Sequence, residues 1–330
     1  MGRKKVIIGI HGVRNKPPKK VLAEWWKRSI YEGFGTAGIP RRNFEFELVY
    51  WADYLNTKPQ DPGIKDKKNP QYVREPYVPA ESAVKSDKPR MIKKKIVEYF
   101  ESNLCKIFFK REALVNYDSI ADFLIRDFCR ELDMYYHGNC TGRKKGNSVK
   151  KELREELIGV IRRHRKKDIL FIAHSMGGII AFDVLSREIP DIGIHTFVTL
   201  GSPLGLPVIR KRILMEQGKE YEKEMNIHTP ESITKQWFNF ADWHDRVAVI
   251  HDLSDKYIEN SHQVKPVDRV VDNNYKYKLG SNHHKIYGYL RTPELAEAIN
   301  NFLEGKKPDL WSAVISIFKK LPVERLGKRS

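Results

Sequence analysis

Cysteine is scarce in this chain, and what there is stands at no useful spacing. Cys105, Cys129 and Cys140 make an odd set of three with no Cys-x-x-Cys pair. That excludes a disulfide scaffold and the common thiolate zinc sites, and it predicts free thiols in a reducing, cytoplasmic setting. Long apolar runs are missing too. None reaches the ~20 residues of a membrane-spanning helix. The run Val6–Ile10 is too short for a secretory leader and leads straight into His11-Gly12. Gly2 follows Met1, but residue 6 is Val, so the myristoylation pattern fails. No internal repeat, low-complexity tract or His-Glu-x-x-His motif occurs, and the adjacent His283 and His284 match no metal-ligand spacing.

Negative charge is in short supply. Sixty Lys and Arg face 42 Asp and Glu, a formal +18. Such an excess favours anionic partners. It is spread along the chain, with local clusters at Lys93–Lys95, Arg143–Lys145 and Arg162–Lys167. A diffuse excess is a weaker footprint of a nucleic-acid groove than a stripe would be, so nucleic acid is the less favoured partner. The plain alternative is a well-solvated surface.

The apolar residues alternate between two periods. Val6–Ile10 and Ile169–Ala173 are continuous β-branched or apolar runs, as strands buried on both faces require. Phe44–Trp51 predicts a strand with Phe44, Phe46, Leu48 and Tyr50 on one face. Ile194–Leu200 and Gln236–Phe240 predict two more. Helices are predicted over 19–32, 148–166, 177–187, 293–302 and 309–320, with 205–225 mixed and helical. Strands alternating with helices imply a mostly parallel central sheet flanked by helices. Residues 55–90 are proline-rich and charged with little periodicity, and 90–110 and 117–136 have amphipathic helical spacing. The expectation is one domain over 1–330, with a helical insertion over roughly 55–147 as a cap or lid. Residues 308–330 form an amphipathic helix and basic tail. That tail, with Trp311 on its apolar face, suits contact with an anionic membrane surface or packing on its own domain.

Strand, then Ala173-His174-Ser175-Met176-Gly177-Gly178, then helix is the pattern of a nucleophile elbow. Small residues two before and two after the serine let crossing backbones nearly touch, and Ala173 and Gly177 supply them. A serine capping the helix is the structural alternative. The segment Phe171–Gly178 resembles the elbow of lipase-like and esterase-like members of the α/β-hydrolase superfamily. The resemblance covers most of residues 5–51 and 166–303, and leaves out the insertion and the C-terminal tail. It implies the α/β-hydrolase fold and a serine hydrolase with Ser175 as nucleophile. His11-Gly12-Val13, after the first strand, resembles the lipase His-Gly-x segment. It implies an oxyanion hole from the backbone N–H groups of Val13 and Met176, with Gly12 as a further donor.

In this superfamily the acid and then the base follow the serine. Asp245, in Ala-Asp-Trp-His-Asp-Arg-Val after a late strand, is the favoured acid, with Asp242 as its alternate. His284 in Asn-His-His-Lys-Ile-Tyr is the favoured base, with His283 as its alternate. His284-x-x-Tyr287 resembles the catalytic-histidine segment of lipase-like proteins. Ser202, in Leu-Gly-Ser-Pro-Leu-Gly, lacks an elbow and reads as a turn or site-lining residue. Leu204, Leu206, Val208, Ile209, Ile213, Leu214 and Met215 suit either a lid or acyl-chain groove or a core helix. The expectation is a cytoplasmic serine esterase, peripheral to a membrane at most, that cleaves small-molecule or lipid carboxylic esters. The chemistry calls for no cofactor and no metal. A thioesterase or acyltransferase would use the same residues. A hydrolase-like protein that only binds anionic membrane or nucleic acid is the non-catalytic alternative.

Overall fold

The computed structural model describes residues 2–80, 123–218, 227–278 and 280–306. Cys105, the helix expected over 90–110 and the C-terminal tail lie outside them. Six parallel strands form one sheet: β1 (Lys5–Ile10), β2 (Phe46–Val49), β3 (Asp168–His174), β4 (Ile194–Leu200), β5 (Ile233–Asp242) and β6 (Pro266–Val271). Their spatial order is β2-β1-β3-β4-β5-β6, and every neighbouring pair is parallel.

The continuous apolar runs have the consequence expected of them. In β3, Ile169, Phe171 and Ala173 point into one core and Leu170 and Ile172 into the other, all fully buried. Each Ile, Leu or Phe side chain so buried contributes roughly 1.5–3 kcal/mol. One core lies beneath α3 (Phe123–His137), α4 (Val149–Arg163), α5 (Met176–Arg187) and α6 (Pro207–Glu216). The other is covered by α1 (Lys19–Thr36), the short α7 (Ile286–Leu290) and α8 (Pro293–Glu304). A one-turn α2 (Ala52–Leu55) follows β2. Helices therefore cover both faces of the sheet.

Two sequence readings change. β6 was not anticipated from its pattern, and α6 is a core helix: Val208, Ile209, Ile213 and Leu214 are buried, with Leu204 and Leu206 ahead of it, while Met215 stays out. That removes the lid reading of this stretch. Cys129 and Cys140 are free and buried. Among the described residues no helix is long and apolar enough to cross a membrane.

Candidate functional site

Strand order reverses at β1, because the chain first crosses to β2 on one side and later returns to β3 on the other. Loops leaving the carboxyl ends of β1 and β3 therefore diverge, and a crevice opens between them. Ile10 and Ala173 are register partners there, so Gly12 and Ser175 emerge side by side.

Ser175 sits in the turn between β3 and α5 with φ 56° and ψ −128°. A non-glycine residue rarely adopts this backbone, and holding it costs on the order of 1–3 kcal/mol. The surroundings enforce it. The Ser175 N–H donates to Leu200 O at 3.0 Å, and its carbonyl accepts Gly178 N–H at 2.8 Å. A Cβ on Gly177 would stand 2.8 Å from His11 O, and one on Gly12 would stand 2.7 Å from Ser175 Cβ. Neither glycine can be larger if the two backbones are to pass this closely.

His284 Nε2 lies 2.9 Å from Ser175 Oγ, and its Nδ1 lies 2.9 and 2.8 Å from the two Asp245 oxygens. The three groups come from three segments: the turn after β3, the loop after β5 and the segment leading into α7. Ser175 and Asp245 are buried, and His284 is 5% exposed. Asp245 Oδ1 also accepts the N–H groups of Val247 and Ala248 at 2.8 and 3.1 Å, and Oδ2 accepts the Tyr289 hydroxyl at 2.6 Å. An acceptor-only carboxylate facing Nδ1 fixes the imidazole tautomer with Nδ1–H towards Asp245, leaving Nε2 as acceptor for the serine proton.

The alternates for acid and base do not join this series. Asp242 ends β5 and accepts the His244 and Asn273 N–H groups at 2.7 and 2.6 Å. Its Oδ1 lies 3.3 Å from His244 Nδ1 and 3.5 Å from His283 Nδ1, and the two imidazoles stack with centroids 4.6 Å apart. The Asp242 carboxylate raises the His283 imidazole above its ordinary value. Asp242, His244 and His283 are a set that could hold a metal ion.

The loop after β1 is held from behind. Trp51 N–H donates to His11 Nε2 at 3.1 Å, so His11 carries its proton on Nδ1, which lies 2.8 Å from Gly12 O. The Trp51 indole stacks on the imidazole and donates to His11 O at 2.9 Å. Burial, followed by the charge of Lys16, pushes His11 well below its ordinary value, so it stays neutral. Lys16 Nζ donates to Val13 O and Arg14 O. Arg14, at φ 77°, donates its N–H to Glu131 at 2.7 Å. The backbone N–H groups of Val13 and Met176 donate to nothing else among the described residues. His174 Nε2 lies 2.8 Å from the carbonyl of His284, so that nitrogen carries the proton; burial and then His284 lower its basicity.

Several residues that hold this series were not singled out from the sequence. Tyr289 is the aromatic that reaches Asp245, whereas Tyr287 packs edge-on against Trp25 and Tyr77. Gly201, at φ 55°, leaves space that a Cβ would take from Asp245, with Oδ2 only 2.7 Å away. Asn273 donates from Nδ2 to His283 O and Lys285 O, both at 2.8 Å, and so fixes the segment that carries His284. Only the left-handed glycine after a strand is a signal a sequence could offer. Ser202 accepts the Leu204 N–H and lines the turn.

Among protein families, a model described as a PGAP1-like alpha/beta domain matches residues 94–239. That stretch includes β3, the Ser175 turn, α5, β4 and most of β5; Asp245 and His284 follow it. No curated protein matches the chain.

Proposed function

We propose, for a chain that belongs to the α/β-hydrolase superfamily, that it is a serine hydrolase cleaving carboxylic esters through an acyl-enzyme on Ser175. The observation that carries this reading is the unbroken Ser175–His284–Asp245 hydrogen-bond series on a strained strand-to-helix turn.

The steps follow from the donors and acceptors. His284 Nε2 takes the Ser175 proton as Oγ bonds to the ester carbonyl carbon, and Asp245 stabilises the imidazolium that forms. The carbonyl oxygen becomes an oxyanion, for which the Val13 and Met176 N–H groups are free to donate. The carbon–oxygen bond to the alcohol breaks, and His284 returns its proton to that leaving oxygen. A water, deprotonated by His284, then attacks the acyl-enzyme, and Ser175 leaves with the proton. Fatty-acyl or lipid esters are the finer proposal. Their support is the net charge of +18, an excess of the kind that favours anionic surfaces such as lipid headgroups.

Labelling with a fluorophosphonate probe tests the nucleophile. The parent protein should be labelled at Ser175 and Ser175→Ala should not. No labelling of the intact protein, or equal labelling of the variant, overturns the reading. A series of p-nitrophenyl esters of rising chain length tests the substrate class. The expected profile peaks at medium or long acyl chains, and a background-level profile at every length counts against a general esterase.

A further inference from the structure

His283 and Asp242 are the residues passed over by the serine series, and the fold gives them a purpose of their own. We infer that Asp242, His244 and His283 form a binding site for a transition-metal dication of the zinc type, which ties the segment bearing Asp245 to the segment bearing His284.

Geometry supports this first. With metal–nitrogen and metal–oxygen bonds of about 2.0–2.1 Å, two ligand atoms of a tetrahedron stand about 3.3–3.4 Å apart. Asp242 Oδ1 lies 3.3 Å from His244 Nδ1 and 3.5 Å from His283 Nδ1. One ligand atom from each of the three residues lies within 4.8 Å of the others. Side-chain rotations that unstack the two imidazoles would aim both Nδ1 lone pairs at one ion beside Asp242 Oδ1, leaving a fourth position for water.

Chemistry points the same way. Two imidazoles and a carboxylate suit zinc and its neighbours, whereas magnesium and calcium prefer all-oxygen sets. His283 Nδ1 is buried and makes no hydrogen bond of good geometry; its nearest acceptor is Asp242 Oδ1 at 3.5 Å, a contact a shared metal ion would replace. Asp242 is already oriented, because Asn273 N–H holds its other oxygen at 2.6 Å. Outer hydrogen bonds of this kind aim metal-ligating carboxylates. Solvent reaches the cluster: the His244 and His283 side chains are 26% and 21% exposed, and Asp242 lies beneath them. His244 directly precedes Asp245, and His283 directly precedes His284. A bound ion would therefore cross-link the two loops one residue from the acid and the base. That last consequence rests on the proposed serine mechanism, whereas the site itself does not.

Chelator-stripped full-length protein, titrated with zinc against a chromophoric competitor, tests the site. The expected result is one zinc per chain. His244→Ala and His283→Ala, made separately, should each weaken binding at least about tenfold. His228→Ala, which removes an exposed histidine elsewhere, should bind as the parent does. Zinc should raise Tm in the parent and in His228→Ala but not in the two ligand variants. Absence of stoichiometric binding, or equal affinity in all four proteins, overturns the proposal. Esterase turnover that falls on stripping and returns with zinc would support the cross-link. Binding with unchanged turnover would keep the site and remove the cross-link.

Discussion

Tyr289 is the residue whose role is easiest to isolate. Its hydroxyl donates to Asp245 Oδ2 at 2.6 Å and accepts the Asp242 N–H at 3.0 Å. Tyr289→Phe keeps the ring and removes both bonds. A hydrogen bond to a charged group contributes roughly 1.5–3 kcal/mol, and about 1.4 kcal/mol is tenfold in rate. The expected loss in kcat for an ester substrate is about ten- to a hundredfold, and an unchanged kcat would show that Asp245 is held well enough without it. Gly201→Ala attacks the same carboxylate sterically, since the new methyl would stand 2.7 Å from Asp245 Oδ2 and 3.2 Å from His284 Nδ1. It should slow fluorophosphonate labelling of Ser175; a parent-like rate would mean the loop shifts to make room. These examples mark what sequence could reach. The Ser175 turn was legible because strand, tight turn and helix are a local device. For the residues that join Ser175 the sequence left two aspartates and two histidines, because residues 242 and 245, or 283 and 284, differ only in which way a loop turns them. That direction is set by long-range bonds such as Asn273 to His283 O and Lys285 O.

The strand–turn–helix element holds a strained backbone at Ser175. At φ 56° Ser175 carries a penalty that glycine would not, on the order of 1–3 kcal/mol. Ser175→Ala and Ser175→Gly both lose the hydrogen bond to His284, so comparing them cancels that loss. What remains is relief of strain in the glycine variant against its greater freedom when unfolded, about 0.4–1 kcal/mol. The balance favours glycine by about 1 kcal/mol. Ser175→Gly should therefore melt above Ser175→Ala by a degree or more, with both inactive; an equal or higher Tm for alanine would show that the turn is not strained. Element by element, legibility followed burial. β1 and β3 are covered on both faces and read as continuous apolar runs. β6 is an edge strand: in Pro266–Val271 only the two end residues are buried, and Val267 and Val270 are exposed. Its proline sits at the first position, where an edge strand tolerates the missing donor. Neither periodicity therefore registers it. The five-residue α7 is too short for any helical repeat to show.

At the scale of the whole molecule, an excess of 18 positive charges makes each well-placed carboxylate matter more, because the cations around it repel one another. Two carboxylates act as staples. Glu216 joins α6 to Lys150 of α4 and Arg187 of α5, with Arg212 from its own helix. Glu75 joins the loop before residue 80 to Arg14, Lys285 and Asn282 beside the site. Burial alone would raise both carboxyls. For Glu216 the bonds from Lys150 and Arg187 outweigh it, and for Glu75 Lys285, Asn282 and Arg14 do, bringing each down to about 2 from an ordinary 4.5. A carboxyl whose folded value is depressed binds protons more readily in the unfolded chain. Its stabilisation is therefore complete above about pH 4.5 and disappears as pH falls towards 2. Each staple contributes at most about 3.5 kcal/mol at neutral pH, since one pKa unit is about 1.4 kcal/mol. Glu216→Gln mimics the protonated staple at every pH. Urea midpoints should accordingly place it well below the parent at pH 7, with the gap narrowing from pH 4.5 downwards and closing only as pH falls through about 2. A gap that stays constant across that range would mean Glu216 holds the helices by packing and not by charge.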